Sequence, residues 1–463
     1  MLAPAVAHAD PIASNQYSID LFQGPLLSPI RQMSLGGAIA GYGEGVAGLV
    51  ANAAAPAVRE ASSFRHIEGA FRASVSIPLD LGAENNDFDN SGDLDDDTSD
   101  FLYLTGGGML QIGPFGMGAV GDIQRFSLTD EAGESTDITI GHYRALVGMS
   151  FVRGGLAIGA GARALSMALD TPDADLVYVG AAPEVGVLIR PRLVPFRFGT
   201  TYRFAVTAHA LEDPPKTADG PSRAGPLVLP QSVVQPWELE TGIAFQVGPR
   251  PLNMPFDDPE DLDDRAERRV ASARAERVRE RERILGLTPI AERTRIEAEL
   301  DEREKVLIEL EERWLERESE WLVGRADDAF AELPRERLLV LFSLLASGPV
   351  QAGVSLEGFL DQAAPGQTEF QKIGSSGAST NFSPRFGVEG EPLIGRLVLR
   401  TGSYYEPSRF GGVGRAHFTF GSELRVFSTD VFGLFPEQPW AIELGMDLAP
   451  RYESLSAGLT VFR

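Results

Sequence analysis

The chain has 463 residues, 43% of them hydrophobic, and a formal net charge of −25. That acidic surplus excludes nucleic acid as a partner, because phosphate neutralisation needs a basic surface; the lack of cysteine excludes thiol catalysis, disulfides and zinc–thiolate sites. The longest clean apolar run, 338–345, holds one serine and is far shorter than the roughly 20 residues of a membrane helix, so any membrane crossing must be made by closed strands.

Residues 1–9 are small and apolar and end in Ala7-His8-Ala9 before Asp10. This is an A-x-A type cleavage site and reads as a signal-peptide remnant; a plain Ala/Pro tail is the alternative. The next segment, 10–62, carries Gly36, Gly37, Gly41, Gly43, Gly45 and Gly48, which permit tight turns and close packing. A glycine-rich phosphate loop does not fit, since no apolar strand precedes it and the full fingerprint is missing.

From about residue 65 the period is two, the mark of strands with unlike faces. In one segment Trp237, Leu239, Ile243, Phe245 and Val247 oppose Glu238, Glu240 and Gln246. In another Phe196, Phe198, Tyr202, Phe204 and Val206 oppose Arg197, Thr201, Arg203 and Thr207. Residues 63–248 hold eight such segments and 336–463 six more, the fourteen starting near 65, 101, 116, 137, 155, 176, 196, 237, 337, 383, 396, 415, 438 and 453. A soluble sandwich also alternates, but these strands exceed the usual soluble length and suit a tilted membrane crossing. The expected fold is an all-β transmembrane barrel of about fourteen antiparallel strands. Short links at 113–116, 153–155, 190–195 and 392–396 share one parity. Longer polar links at 83–100, 129–136, 170–175, 211–235 and 346–381 share the other, as in bacterial barrels. A further strand within 350–360 would shift every later assignment.

The first long loop contains Asp87, Asp89, Ser91, Asp93 and Asp95 at calcium-loop spacing, with Leu94 at the hydrophobic position but Thr98 where the bidentate glutamate belongs. It reads as a weak calcium candidate or as a solvated acidic loop. Parity points Arg72, Arg144, Arg163, Arg197, Arg203, Arg385, Arg400 and Arg425 inward, together with Glu238, Glu240, Glu389, Glu391, Glu423, Glu443 and Asp447. Such a wall would be either a network that clamps an inner segment or a solute-selective lining. No apolar pocket is evident.

Residues 249–335 change period. Leu300, Leu307, Trp314 and Trp321 fall seven apart, with Ile296 and Leu310 as companions. Gly286 can end a first helix, while Thr288 and Pro289 suit the start of a second. A charged helical hairpin follows, periplasmic by parity, with 258–333 either a solvated helix pair or a docking arm for a periplasmic protein. The histidines are His8, His66, His142, His209 and His417; no G-x-S-x-G elbow or H-E-x-x-H helix accompanies them. Neither catalysis nor a cofactor is expected.

The segment Arg31-Gln32-Met33-Ser34-Leu35-Gly36-Gly37-Ala38, followed by Asn52 and Pro56-Ala57, resembles the N-terminal motif of the long-chain fatty-acid transporter (FadL-like) barrels and of the related PorV-type proteins. Those have a Gly-Gly-Ala stretch, an Asn-Pro-Ala box and fourteen strands; here three alanines separate Asn52 from Pro56. The resemblance implies that 10–62 form a plug, with Gly36, Gly37, Ala38, Asn52 and Pro56 as its motif, and that a hydrophobic compound crosses the outer membrane. A non-transporting PorV-type scaffold in secretion or envelope assembly is the alternative.

Overall fold

The computed structural model describes residues 12, 14–22, 24–60, 63, 65–78, 87–91, 102–129, 135–171, 174–192, 194–212, 220–256, 258–332, 334, 336–360, 362, 374–431 and 435–461. Fourteen strands form one closed wall: β1 (Ile67–Pro78), β2 (Leu102–Ile112), β3 (Phe115–Thr129), β4 (Ser135–Phe151), β5 (Leu156–Thr171), β6 (Ala174–Ile189), β7 (Phe196–Arg203), β8 (Glu238–Val247), β9 (Leu338–Ser347), β10 (Asn381–Leu393), β11 (Leu397–Glu406), β12 (Arg415–Val431), β13 (Phe435–Ala449) and β14 (Tyr452–Val461). Each pairs with its sequence neighbour. Strand β14 returns to β1, with Val461 opposite Phe71 and Ser456 opposite Ser76, so no edge remains.

Alternation decides which way each side chain points. In β8, Glu240, Gly242, Ala244 and Gln246 are buried inside, whereas Leu239, Ile243, Phe245 and Val247 stand exposed outside. The outside is apolar all round, through Phe71, Phe115, Val147, Ile158, Val185, Phe342, Phe386, Leu399, Phe420 and Leu444. A water-facing surface does not carry an apolar band of that extent; this one faces lipid. Ten residues in β8 rise about 25 Å at roughly 3.3 Å per residue and a tilt near 40°, the height of a bilayer's apolar layer. Aromatic pairs mark opposite ends of the wall: Tyr202 with Trp237 (ring centroids 6.1 Å apart) and Phe427 with Trp440 (5.8 Å).

One link differs from the sequence reading. The 170–175 link is tight: β5 runs to Thr171, β6 starts at Ala174, and Asp170 pairs with Asp175. Residues 350–360 add no wall strand. They form the short strand Gly353–Ser355 and the one-turn helix Leu356–Leu360, both inside. The links after even-numbered strands lie at one end of the wall, called the insert end because residues 248–337 leave from it. The other is the loop end.

At the loop end β7 and β8 are interrupted together. Phe204 and Ala205 break β7 from its continuation Val206–Ala210, and Pro236-Trp237 break β8 from the preceding Ser232–Gln235. The break inverts the side-chain parity expected for this strand. Val206 is fully buried and Thr207 exposed, because Phe204 and Ala205 leave the strand with both side chains exposed and the alternation restarts out of step. Both upper pieces bend inward and pair with each other, Val233 opposite Ala208. The N-terminal strand Ser18–Asp20 lies parallel between Ser232–Gln235 and Gly353–Ser355, with Ile19 opposite both Val233 and Val354. From there the chain descends into the lumen as α1 (Ile30–Ser34), α2 (Gly45–Leu49) and the 3₁₀ turn Ala55–Ala57.

The insert, with 62–67, is a second compact unit. It is a hairpin of α3 (Pro259–Leu287) and α4 (Ile290–Glu332), zipped by ion pairs such as Arg274–Glu311 (2.7 Å) and Arg277–Glu304 (3.2 Å). Asp258 caps α3 by accepting from the Glu260 N–H and also meets His66 Nδ1 at 2.8 Å. The expected seven-residue seam is only partly the hairpin seam. Leu310, Trp314 and Trp321 are 48%, 37% and 52% exposed, because charged pairs rather than apolar residues hold much of the helix contact.

Candidate functional site

The lumen is filled by the plug, and glycines on the wall make room for it. Gly116, Gly148, Gly159 and Gly186 stand directly opposite one another on β3 to β6. Gly199–Gly242 and Gly387–Gly402 form further pairs around the wall. A Cβ on Gly116, Gly159, Gly199 or Gly402 would fall within 3.0 Å of plug backbone at Pro56, Ala53, Ala40 and Leu35-Gly36 respectively. The belt is therefore a side-chain-free track on which plug backbone lies. Gly36 (φ 57°) could not carry a side chain either, since it faces the Phe386 carbonyl and the Ser403 backbone. Asn52 closes the plug's second turn: its Nδ2 donates to the Ala40 and Val187 carbonyls, and its Oδ1 accepts from Ala54 N–H. Pro56 is the second residue of the 3₁₀ turn, and Ala38 is fully buried.

Below the belt, towards the insert end, ionised side chains interlock. Glu389 accepts from Arg31 Nε and Nη2 of α1 (both 3.0 Å), from Arg337 (2.6 Å) and from Arg400 (2.8 Å). Arg400 also reaches Glu443 (3.3 Å) and Glu423, Arg72 pairs with Glu443 (3.0 Å), and Arg425 with Glu391 (3.1 Å). Arg197 holds Glu44 of the plug at 2.6 Å and donates to the Tyr42 carbonyl. A second cluster lies at mid-height. Arg203 spans Glu238 (3.1 Å) and Glu240 (3.0 Å) and donates to the Val50 and Ala51 carbonyls of the plug. Arg385 meets Glu240 (3.2 Å), and Arg144 donates to Val50 O. Arg163, 1% exposed, donates to Phe204 O and Pro236 O, the carbonyls freed by the two strand breaks. The contacts of Arg31 and Glu44 and those to the Tyr42, Val50 and Ala51 carbonyls run between wall and plug, and the others tie wall strands to one another or to the segments beside them.

At the loop end the surroundings change. On the β4–β7 side Ile138, Ile140, Leu165, Met167, Leu169, Leu176 and Tyr178 point inward and are buried in one cluster with Tyr17, Ile19 and Leu27 of the N-terminal segment and with Val228, Val233 and Phe359 of the infolded loops. On the β11–β14 side the lumen is polar. His417 lies between Glu406 (2.7 Å) and Asp447 (2.9 Å) and stacks on Tyr404. Arg409 pins Asp20 of the N-terminal strand at 2.9 Å.

Sequence reasoning missed three groups. The plug and turn partners Arg31, Glu44, Arg250 and Arg337 sit outside strands, where parity says nothing. The apolar loop-end wall was readable, because Leu165, Met167 and Leu169 share the parity of Arg163. The glycine belt was signalled by mid-strand glycines recurring from strand to strand. In the acidic loop Asp87 is buried and Asp89 accepts from Ser91 N–H; Asp93 and Asp95 lie outside the described residues. Among the described residues no three His, Asp or Glu side chains converge as a metal site would require. His142 meets Asp122 at 2.8 Å.

Fold and lumen together define a closed, plugged, lipid-facing barrel. No family model matches the chain, and no curated protein matches it either. Among solved structures it is similar to the CymD monoaromatic hydrocarbon channel (9% identity, TM-score 0.45, 94% of this chain and 96% of that one). It is also similar to a deltaS2 mutant of the TodX monoaromatic hydrocarbon channel (12%, 0.44, 94% and 98%). Likeness at this level carries no functional weight; the barrel stands on its own strand pairing.

Proposed function

We propose that this chain is a bacterial outer-membrane barrel that passes a poorly water-soluble small molecule from the outside inward, with the loop end outside and the insert end periplasmic. An even-stranded barrel with an apolar outer surface belongs in that membrane. The reading of a hydrophobic cargo is carried by the loop-end chamber: Ile138, Ile140, Leu165, Met167 and Leu169 face the lumen, where a channel for polar solutes would present polar groups. Their present cover is the chain's own apolar side chains, which a cargo of like chemistry can replace on opening. Uptake of a labelled long-chain acid or aromatic hydrocarbon should fall in a strain lacking the chain, and should return with the wild type but not with Leu165→Glu. Equal uptake with and without the chain overturns the reading.

The hairpin is read as a contact arm for a periplasmic protein, on the strength of the apolar Val306, Leu310, Trp314 and Trp321 standing exposed among the charged residues of α4. Deleting 258–333 should leave an inserted barrel that has lost a cross-linkable partner; an unchanged partner set refutes it.

A further inference from the structure

We propose that the insert end of the lumen contains a binding site for a small oxyanion of the phosphate class. A small cavity of about 60 Å³ lies there, lined by Arg31 of the plug, Arg72, Arg400 and Arg425 of the wall, and Arg250 and Arg337 from the segments beside the insert. Only three carboxylates share the lining: Glu60, Glu68 and Glu423.

Following each charge to its partner shows where the cations are left over. Arg31, Arg337 and Arg400 converge on Glu389, which stands behind the lining. Arg425 is held by Glu391 and Glu423, and Glu68 by Arg59 at 3.4 Å. Two arginines are short of acceptors. Arg72, 7% exposed, has Glu443 near Nη1, but neither Nε nor Nη1 makes a hydrogen bond. The nearest carboxylate to Arg250 is Glu391, at 3.9 Å, beyond hydrogen-bond range.

Burial and then the neighbouring Arg337 pull the Arg250 guanidinium below its ordinary value, the mark of a cation lacking compensation. Burial, with Glu44 adding to it, pushes the Glu60 carboxyl up, so the one lining acid without an arginine at contact distance opposes an anion least. A buried arginine with open N–H groups takes charged oxygens far better than neutral ones, and an anion with several oxygens can answer Arg72 and Arg250 together. Chloride offers one centre and no directional acceptors. The lining gives an acyl chain little to bury, with Val46, Ala70, Met109 and Val398 as its apolar members. A bound oxyanion would join plug, wall and the segments beside the insert at one point.

Purified full-length barrel in phosphate-free detergent solution tests this by titration calorimetry with inorganic phosphate, at constant ionic strength balanced by chloride. Glycerol 3-phosphate forms a parallel arm, because a lipid headgroup carries the same chemistry. Saturable heat below about 10 mM and a higher unfolding temperature are expected with one or both. Arg72→Gln and Arg250→Gln should each weaken binding by about tenfold or more. Binding by inorganic phosphate assigns a free ion, and binding by glycerol phosphate alone assigns a headgroup. If Arg72→Gln does not fold, Arg250→Gln decides, since that side chain makes no hydrogen bond to lose. Absence of heat with both ligands, or unchanged affinity in Arg250→Gln, overturns the site.

Discussion

The two ends of this lumen hold the same plug by opposite means. Around Leu165 and Met167 the wall meets the N-terminal segment through apolar side chains, each worth about 1.5–3 kcal/mol when fully buried. Around Glu389 the contact is ionic, and buried pairs return little net stability because desolvation offsets their attraction. Removing one partner of such a pair nevertheless costs much more than the pair contributes. The chamber end can exchange its cover for another apolar surface with small change in free energy, whereas the charged end accepts one arrangement of partners. That asymmetry fits a plug anchored at its base and open to rearrangement at the mouth.

The sharpest way to break this contrast is Glu389→Ala, which strands Arg31 and takes from Arg337 and Arg400 the acceptor they share with it, while Arg400 keeps Glu423 and Glu443. Destabilisation of about 3–5 kcal/mol is expected by urea titration in detergent, and Arg31→Ala in the same chain should restore part of it. No recovery on adding Arg31→Ala would mean that the arginines act independently. At the chamber end Met167→Ala should cost about 2–4 kcal/mol and leave the cold-gel mobility of the folded barrel unchanged. Gly159→Ala tests the track between the two ends. The new methyl meets Ala53 backbone, and a loss of about 1–3 kcal/mol is expected, with faster hydrogen exchange across 51–57 as its signature.

Acid should separate the ends without mutation. Burial opposes the charge on Glu44, yet Arg197 and then Arg190 outweigh it and hold the carboxyl below its ordinary value. A depressed value means this contribution is complete above about pH 4.3 and is lost as pH falls through the lower folded value. Protection of plug amides 41–50 against exchange should therefore fall as the pH drops below about 4.3, before that of amides in β5 and β6. The smallest effect belongs to the insert. Arg268→Ala removes an exposed pair with Asp264 and should change stability by less than about 0.5 kcal/mol.

What was legible in the sequence follows from short-range rules. Alternation depends only on the two-residue period of an extended chain, so all fourteen strands and the inward course of Arg163, Arg203, Glu240, Glu389 and Arg400 could be read from it. It failed where the chain departs from that period, at Phe204-Ala205, where two successive exposed residues leave Val206 and Thr207 on reversed faces. The helical seam was misread at Trp314 and Trp321, because heptad spacing cannot tell a face zipped by ion pairs from one left exposed. Only the tertiary structure decided which charges meet. Glu389 collects Arg31, Arg337 and Arg400 from positions up to 358 residues away, and no local pattern encodes a distance that barrel closure and plug insertion set together. The same holds for the chamber: Leu165 and Met167 were visibly inward, but whether they met water or apolar cover depended on where Tyr17 and Val233 came to rest.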